Sequence, residues 1–385
     1  MVDGIVITGA GIVSAIGVGK DETLRSLLAR RSGLPGGKVG LSDLQMKTIL
    51  GIPGEETVAR SSLLGILAVK EALQEAGISY TGTAVLVSGT TVGGMDITEE
   101  HYLEMLGGEH PELFRFHTCG SSTDRIAAYF GGFGSLTTTS TACSSAANSI
   151  IFGANLIRSG RFDVVVAGGS ECLTRYHTAG FDSLMILDKE PCRPFDASRA
   201  GLNLGEGAGF IVLESSAHAS SRGARVLGRL DGWGNACDAF HQTASSPDGE
   251  GAFLAMTKAL EMAGLRPEDI DYINAHGTGT VNNDESESKA MTRLFGGCVP
   301  PVSSTKSFTG HTTSASGGIE AVICLLAMEY GFIPANLGWK EPSEGCIKPE
   351  SEGRSKVFLQ HVLCNSFAFG GNDSSLLISN ARDYE

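Results

Sequence analysis

TTTSTACSSAANSIIFGANLIRSG, Thr137 to Gly160, decides the reading of this chain. A single cysteine, Cys143, stands among Ser, Thr and Ala. An apolar run at helical spacing follows it and stops at Gly160. The thiol therefore lies at the mouth of a predicted helix, with bulky side chains cleared away. A second stretch has the same build. CSSAANSIIFGANLIRSG, 143–160, aligns without a gap on SASGGIEAVICLLAMEYG, 314–331. Both open with small residues, continue with an apolar face and end at glycine. The pair points to an internal duplication that brings two helix N-termini to one centre.

Strand-like and helix-like runs alternate on both sides of this stretch. GIVITGA, AVLVSGT, DVVVAGGSE and FIVLESS read as strands in the first part. GARVLGRLDGWG, DYINAHGT, HVLCNSFAFGG and SLLISN do so in the second. The pattern is α/β. The seam is expected in SSAHASSRGAR, 215–225, which divides the chain into halves 1–220 and 221–385.

The 385 residues, 42 % hydrophobic and 19 % charged, can bury a large core. A net charge of −14, with no run of basic residues, argues against nucleic acid as a partner. The nine cysteines include no C-x-x-C pair, so the common zinc and thioredoxin-type spacings are absent. Their odd count suits free thiols in a reducing compartment. No apolar run reaches the roughly 18 residues of a membrane helix. The opening MVDGIVITGAGIVSAIGVG reads as strand and turn rather than a secretory signal. A cytoplasmic protein without membrane contact is expected. VITGAGIVS carries Gly9, Gly11 and Ser14 like a truncated dinucleotide fingerprint. The third glycine and the acidic end of a second strand are missing, so a nicotinamide cofactor is not expected.

The position of Cys143 suggests chemistry. A helix N-terminus carries about half a positive charge and free N–H groups. It stabilises a thiolate by about 1 kcal/mol, enough to move a pKa from about 8.5 toward about 7.8. The same N–H groups can hold the oxyanion formed when sulfur attacks a carbonyl. Small neighbours leave space for an acyl chain, so a nucleophile that forms a thioester is expected. Three later segments offer partners: INAHGTGTVNND with His276, SSTKSFTGH with Lys306 and His311, and the tight turn in NSFAFGGNDSSLL. His101, His110 and His117 lack partner acids at helical intervals and read as surface residues; no metal is expected. His177, His218, His241 and His361 receive no role.

Together TACSSA, AGGSE, RPFDASRAGLNLGEGAGFIVLE, NAHGTGT, SSTKSFTGH and NSFAFGG resemble the β-ketoacyl synthase family, nearest its 3-oxoacyl-[acyl-carrier-protein] synthase I/II branch. The matches keep the family's order from residue 4 to residue 379. The resemblance implies the thiolase fold, an α/β protein of two duplicated halves in a five-layer αβαβα sandwich, usually a homodimer. It implies a triad of Cys143 as nucleophile, His276 of the HGT motif and His311 of the GH motif. Lys306 matches the lysine that balances charge in the site, and Glu320 the glutamate associated with it. Phe369 matches the gating phenylalanine, whose N–H joins that of Cys143 in the oxyanion hole. Thr278 and Thr280 match threonines that bond the phosphopantetheine arm. Phe181 resembles a pocket-lining phenylalanine, and Thr98 falls near the residue bounding the deep acyl pocket. Asp196, Arg199 and Glu206 are read as structural, and Asp284 and Glu287 as salt-bridge partners behind the HGT motif.

The implied reaction is a decarboxylative Claisen condensation between a Cys143-bound acyl group and a malonyl thioester. It needs no metal or redox cofactor, because the acyl carrier protein brings its own phosphopantetheine. Arg115, Arg125 and Lys189 are candidates for the carrier-protein patch. Three departures from the family pattern stand out. Ala368 occupies a position usually held by Gly in the gating loop, and Ala takes positive φ less readily. Asn372-Asp373 stands where Thr-Asn is common, and Gly279 where Ser is frequent. They leave two uses open: fatty acid chain elongation, or a specialised ketosynthase for aryl-polyene or polyketide-like chains. A non-catalytic partner of the chain-length-factor kind would lack the cysteine, and Cys143 argues against that reading.

Overall fold

A computed structural model describes residues 4–381. The first half contributes β1 (Ile5–Ser14), β2 (Val85–Gly89), β3 (Ser135–Thr139), β4 (Val164–Glu171) and β5 (Gly207–Ser215). They form a sheet in the order β3-β2-β4-β5-β1. The second half contributes β6 (Gly228–Cys237), β7 (Tyr272–Asn274), β8 (Val302–Ser303), β9 (His361–Ala368) and β10 (Asn372–Asn380). Their order is β8-β7-β9-β10-β6. In both halves the third, second and fourth strands are parallel, and the fifth runs antiparallel to the fourth and the first. The two sheets therefore share one topology. They meet edge to edge where Val6 and Ile7 of β1 pair with Arg229 and Gly228 of β6.

Side-chain alternation along the strands builds three cores. Val164 and Val166 of β4 pack outward against α1 (Arg60–Ala76), with Leu63, Leu64 and Val69. Val165 and Ala167 point inward, to α2 (Ser145–Arg158). On the other sheet, Leu363 and Leu377 face α3 (Glu250–Ala263), against which α4 (Val281–Phe295) packs. Val362, Leu376 and Ile378 turn to the centre and to α5 (Ser316–Tyr330). The layers run α1, sheet, α2 with α5, sheet, α3 with α4: the expected five-layer sandwich. Strands covered on both faces need near-continuous apolar sequence, which is why β1, β4 and β5 are buried along their whole length.

α2 and α5 start at Ser145 and Ser316, in the register of the ungapped alignment. Their small first turns let them touch: a Cβ on Gly317 would stand 2.8 Å from the Ala147 nitrogen. α5 is buried on every side from Ser316 to Met328, as a central helix must be. The apparent dinucleotide fingerprint has a packing cause. Gly9 and Gly11 lie inside β1, where a Cβ would come within 2.1 Å of the Ala72 carbonyl oxygen and 1.9 Å of that of Ala68 on α1. The region 215–225 holds a short helix, Ser216–Ser221, between β5 and β6. No helix among the described residues is long and apolar enough to cross a membrane.

Candidate active site

Cys143 lies in the loop after β3, two residues before α2, and is 5 % exposed. Ala142 before it has φ +50°, a conformation that costs a non-glycine residue on the order of 1 kcal/mol. Ser145 holds the turn: its hydroxyl accepts from the Thr141 N–H at 2.9 Å and donates to the Ala142 carbonyl at 2.6 Å. The partners come from the other half. His276 follows β7, and His311 lies between β8 and α5. His311 Nε2 stands 3.1 Å from Cys143 Sγ, and its Nδ1 is 3.1 Å from Ser316 Oγ at the head of α5. The His276 ring is nearly perpendicular to that of His311, with centroids 5.3 Å apart. Lys306 Nζ is buried against Glu320 Oε1 at 2.5 Å.

Burial reverses one expectation. It pushes the Cys143 thiol up to about 11, although Lys306 and the Phe369 main-chain N–H pull the other way. The helix terminus does not decide the resting protonation state; desolvation does. Burial, then Lys306, holds both imidazoles well below the ordinary histidine value, and each has a further histidine nearby, His311 for His276 and His177 for His311. At neutral pH a neutral thiol therefore faces a neutral imidazole. Glu320 is pushed up to about 7 by burial, against the pull of Lys306.

A cavity of about 320 Å³ contains Cys143, His276, His311, Thr278, Thr280 and Phe369 in its wall. Phe181 also lines it and stacks on Phe369, with ring centroids 5.8 Å apart and planes at 21°. The Thr278 and Thr280 hydroxyls are 2.9 Å apart. Lys306 and Glu320 stand behind the cavity rather than in its wall. Thr98 is not brought to it: on the short helix Met95–Glu100 its hydroxyl bonds the Met95 carbonyl at 2.9 Å and His117 Nδ1 at 3.0 Å. Ala368 causes no strain in the gating loop. Its φ is −124°, ordinary extended backbone, and the positive φ values fall on Gly370 (+82°) and Gly371 (+75°).

The acids behind the HGT motif act mainly through backbone bonds. Glu287 accepts from the His276 and Gly277 N–H groups at 2.9 and 2.8 Å; among the described residues no cation pairs with it, contrary to the expected salt bridge. Asp284 accepts from the Phe195 and Gly279 N–H groups at 2.7 and 3.2 Å, with Arg199 Nε at 3.8 Å. Asp196 is held down to about 2, its side chain accepting from Ser198, Glu341 and Lys340. Glu206 pairs with Arg60. His101 and His110 do meet acids, Glu104 and Glu112, at or near the surface. Among the described residues no cluster of three or more His, Cys, Asp or Glu could hold a metal ion.

Two buried groups escaped the sequence analysis. Glu171, at the end of β4, accepts from the Thr91 and Val92 N–H groups at 2.8 and 3.2 Å and from Ser314 Oγ. His177, given no role, has Nε2 3.1 Å from Thr91 Oγ1 and sets its ring edge-on to Phe181, 6.2 Å away. The Thr91 hydroxyl donates in turn to Glu171 at 2.6 Å. No local pattern marks these contacts, because they join β4, β2 and the head of α5.

The chain matches two family descriptions: "Beta-ketoacyl synthase, N-terminal domain" over residues 3–219 and "Beta-ketoacyl synthase, C-terminal domain" over residues 227–340. It is 34 % identical to Nodulation protein E of Rhizobium meliloti (strain 1021) over 401 residues, 97 % of this chain and 98 % of that protein. It is 32 % identical to 3-oxoacyl-[acyl-carrier-protein] synthase 2 of Synechocystis sp. over 405 residues, 97 % of each. The solved structure titled "The ishigamide ketosynthase/chain length factor" superimposes with a TM-score of 0.90 at 32 % identity, over 99 % of this chain and all of that one. A thiol and two histidines drawn from two like halves, with both halves matched, make this chain a member of the β-ketoacyl synthase family, a ketosynthase of the acyltransferase class.

Proposed function

We propose that the protein elongates acyl chains on an acyl carrier protein, by decarboxylative Claisen condensation with malonyl-carrier protein. The observation that carries this reading is His311 Nε2 at 3.1 Å from Cys143 Sγ, with His276 beside it in one cavity. In the first half-reaction the Cys143 sulfur attacks the acyl thioester while His311 takes its proton. The oxyanion is held by the Cys143 and Phe369 N–H groups, and the carrier thiolate leaves with that proton. In the second half-reaction the malonyl carboxylate leaves as CO2, and its bonding electrons form an enolate. Neutral His276 donates an N–H bond to the enolate oxygen, and His311 does so in the tautomer that carries its proton on Nε2, with Nδ1 accepting from Ser316 Oγ. The enolate carbon attacks the acyl-cysteine, a C–C bond forms, the C–S bond breaks, and the thiolate takes up one proton from solvent. Lys306 supports this cycle by keeping both imidazoles neutral. Thr278 and Thr280 would bond the phosphopantetheine arm, and exposed Arg115 and Lys189 would meet the acidic carrier.

A specialised ketosynthase for polyene or polyketide-like chains is the second reading. It is favoured by the likeness to Nodulation protein E and to a ketosynthase/chain length factor structure. Its partner would be a second copy or a subunit lacking the cysteine. The edge strand β3, whose side chains are all at least partly exposed, would take the partner strand. The nine free thiols support a reducing, cytoplasmic setting.

Acyl-carrier thioesters of short, long and polyenoic chains, read by intact mass, test this. A mass adduct is expected on the wild type and none on Cys143→Ala, with ketoacyl product after malonyl-carrier protein is added. The preferred chain chooses between the two readings, and native mass reports the dimer. A folded wild type that accepts none of the donors would overturn the enzyme reading.

A further inference from the structure

Beneath the gate lies a pair of carboxyl groups that the mechanism does not use. Asp373, 2 % exposed at the start of β10, stands where the family resemblance led to Asn. Asp238 follows β6. A Cβ on Gly251 of α3 would stand 2.1 Å from Asp373 Oδ2 and 2.7 Å from Asp238 Oδ1. The two oxygens therefore lie within about 5 Å of one another, close enough to oppose double ionisation. Asp238 is the member held by donors. Its Oδ1 accepts from Ser246 Oγ at 2.8 Å and the Gly251 N–H at 2.7 Å, and its Oδ2 from the Ser246 N–H at 2.8 Å. Asp373 faces the Ala368 N–H, Asp238 and Glu287 of α4, with no cation among the groups acting on it. Burial first, and then the Asp238 charge, hold it up to about 8.

Both residues are tied to the gate. The Asp238 N–H donates to the Gly371 carbonyl at 2.9 Å, and the Gly370 N–H to the Gln242 carbonyl at 2.8 Å. Gln242 belongs to the loop that Asp238 closes on Ser246, and Thr243, Ala244 and Ser245 of that loop line the cavity. We propose that Asp373 is a positioning residue of the gate: while its carboxyl is neutral it packs beside Asp238 without repulsion, and loss of its proton sets two carboxylates against each other and loosens Phe369–Gly371 over Cys143. The inference rests on the ketosynthase reading only for the meaning of the gate.

Asp373→Asn keeps the shape and removes the titrating proton. It is compared with the wild type from pH 5 to 9.5 by two measurements. The first is Tm. A carboxyl whose pKa rises on folding costs the folded state stability as pH climbs from the unfolded value, about 4, to the folded value. The Tm advantage of the variant should widen over that span and level off above pH 8. The second is N-ethylmaleimide labelling of Cys143, followed by peptide mass. Thiol ionisation is common to both proteins, so the ratio of their rates reports the gate. The wild type should label several-fold faster than the variant above pH 8.5 and equally at pH 6. Asp238→Asn removes the opposing carboxylate, so its labelling should stay level with that of Asp373→Asn across the whole pH range. A constant Tm gap would overturn the buried titration of Asp373, and a widening gap with a flat labelling ratio would overturn the gate role. Neither measurement uses an acyl donor, so failure of the ketosynthase reading would show separately, as absence of acylation in both proteins.

Discussion

The two halves of this chain are one design carried out twice with different ends. In the first, Gly9 and Gly11 of β1 press against the Ala72 and Ala68 carbonyls of α1. In the second, Gly232 and Gly234 of β6 press against the Ala259 and Ala255 carbonyls of α3, with added Cβ atoms at 2.1 and 2.0 Å. Strand order, strand direction and the start of the central helix also repeat. The ends differ. The position of Cys143 is taken in the second half by Ser314, whose hydroxyl is bonded to Glu171. The histidines, the lysine and the gate all come from the second half. A duplicated scaffold thus holds a single asymmetric site: one half supplies the buried thiol and the other the two histidines beside it and the Lys306–Glu320 pair behind it. Scaffold residues are held by backbone contact and repeat, whereas site residues sit in loops beyond the strands, where the halves are free to diverge.

The sharpest way to break the comparison is to move the nucleophile. Cys143→Ala should lower acylation at least about 10³-fold, and adding Ser314→Cys should not restore it, because the second position faces Glu171 rather than His311. Rescue, read by intact mass, would mean the halves are functionally equivalent. Next in size is the Lys306–Glu320 ion pair of the second half, in which both members are buried. Lys306→Met should cost about 3–5 kcal/mol by leaving Glu320 unpaired, and Lys306→Met with Glu320→Gln should regain part of that in a denaturant titration. The same change bears on pH. Acylation by the wild type should persist below pH 6.5, since burial and then Lys306 hold both imidazoles below the ordinary histidine value. Without Lys306 the acid loss should move toward neutral pH, and a wild-type midpoint near 6.5 would contradict the neutral-imidazole site.

The shared scaffold sets the next scale. Gly11→Ala and Gly234→Ala should each destabilise by about 1–3 kcal/mol, since either Cβ would overlap a helix carbonyl. Similar losses of Tm would support equivalent scaffolds, and a loss confined to one half would break the symmetry. The smallest effect is expected at the gate. Ala368 is extended, so Ala368→Gly should only loosen the unfolded chain and cost about 0.5–1 kcal/mol. A gain in Tm would show strain that the backbone angle does not record.

Much of the site was legible because its marks are local. Cys143 before a small-residue helix, His276 in a glycine turn after a strand, and Lys306 with His311 before the matching helix can each be read within a dozen residues. Phe181 and Phe369 followed from the family resemblance, and their stacking was found only in the fold. Thr98 was assigned by loose alignment and does not line the cavity. Glu171 lay inside the quoted AGGSE and Asp373 was noted only as a departure; their contacts, like those of His177, could not be read, because each works through partners on another element.

The sequence by itself determined the periodicities, the two equal helices at 145 and 316, and the segments that bring Cys143, His276 and His311 to one cavity, since hydrophobic spacing and helix ends are short-range properties. Only the tertiary structure decided their protonation. The helix terminus alone argued for a lowered cysteine pKa. Closing two halves over the thiol removed its water and pushed it up to about 11, while burial and Lys306 pushed both histidines down. Desolvation belongs to everything packed around a group, and no stretch of sequence contains that surrounding.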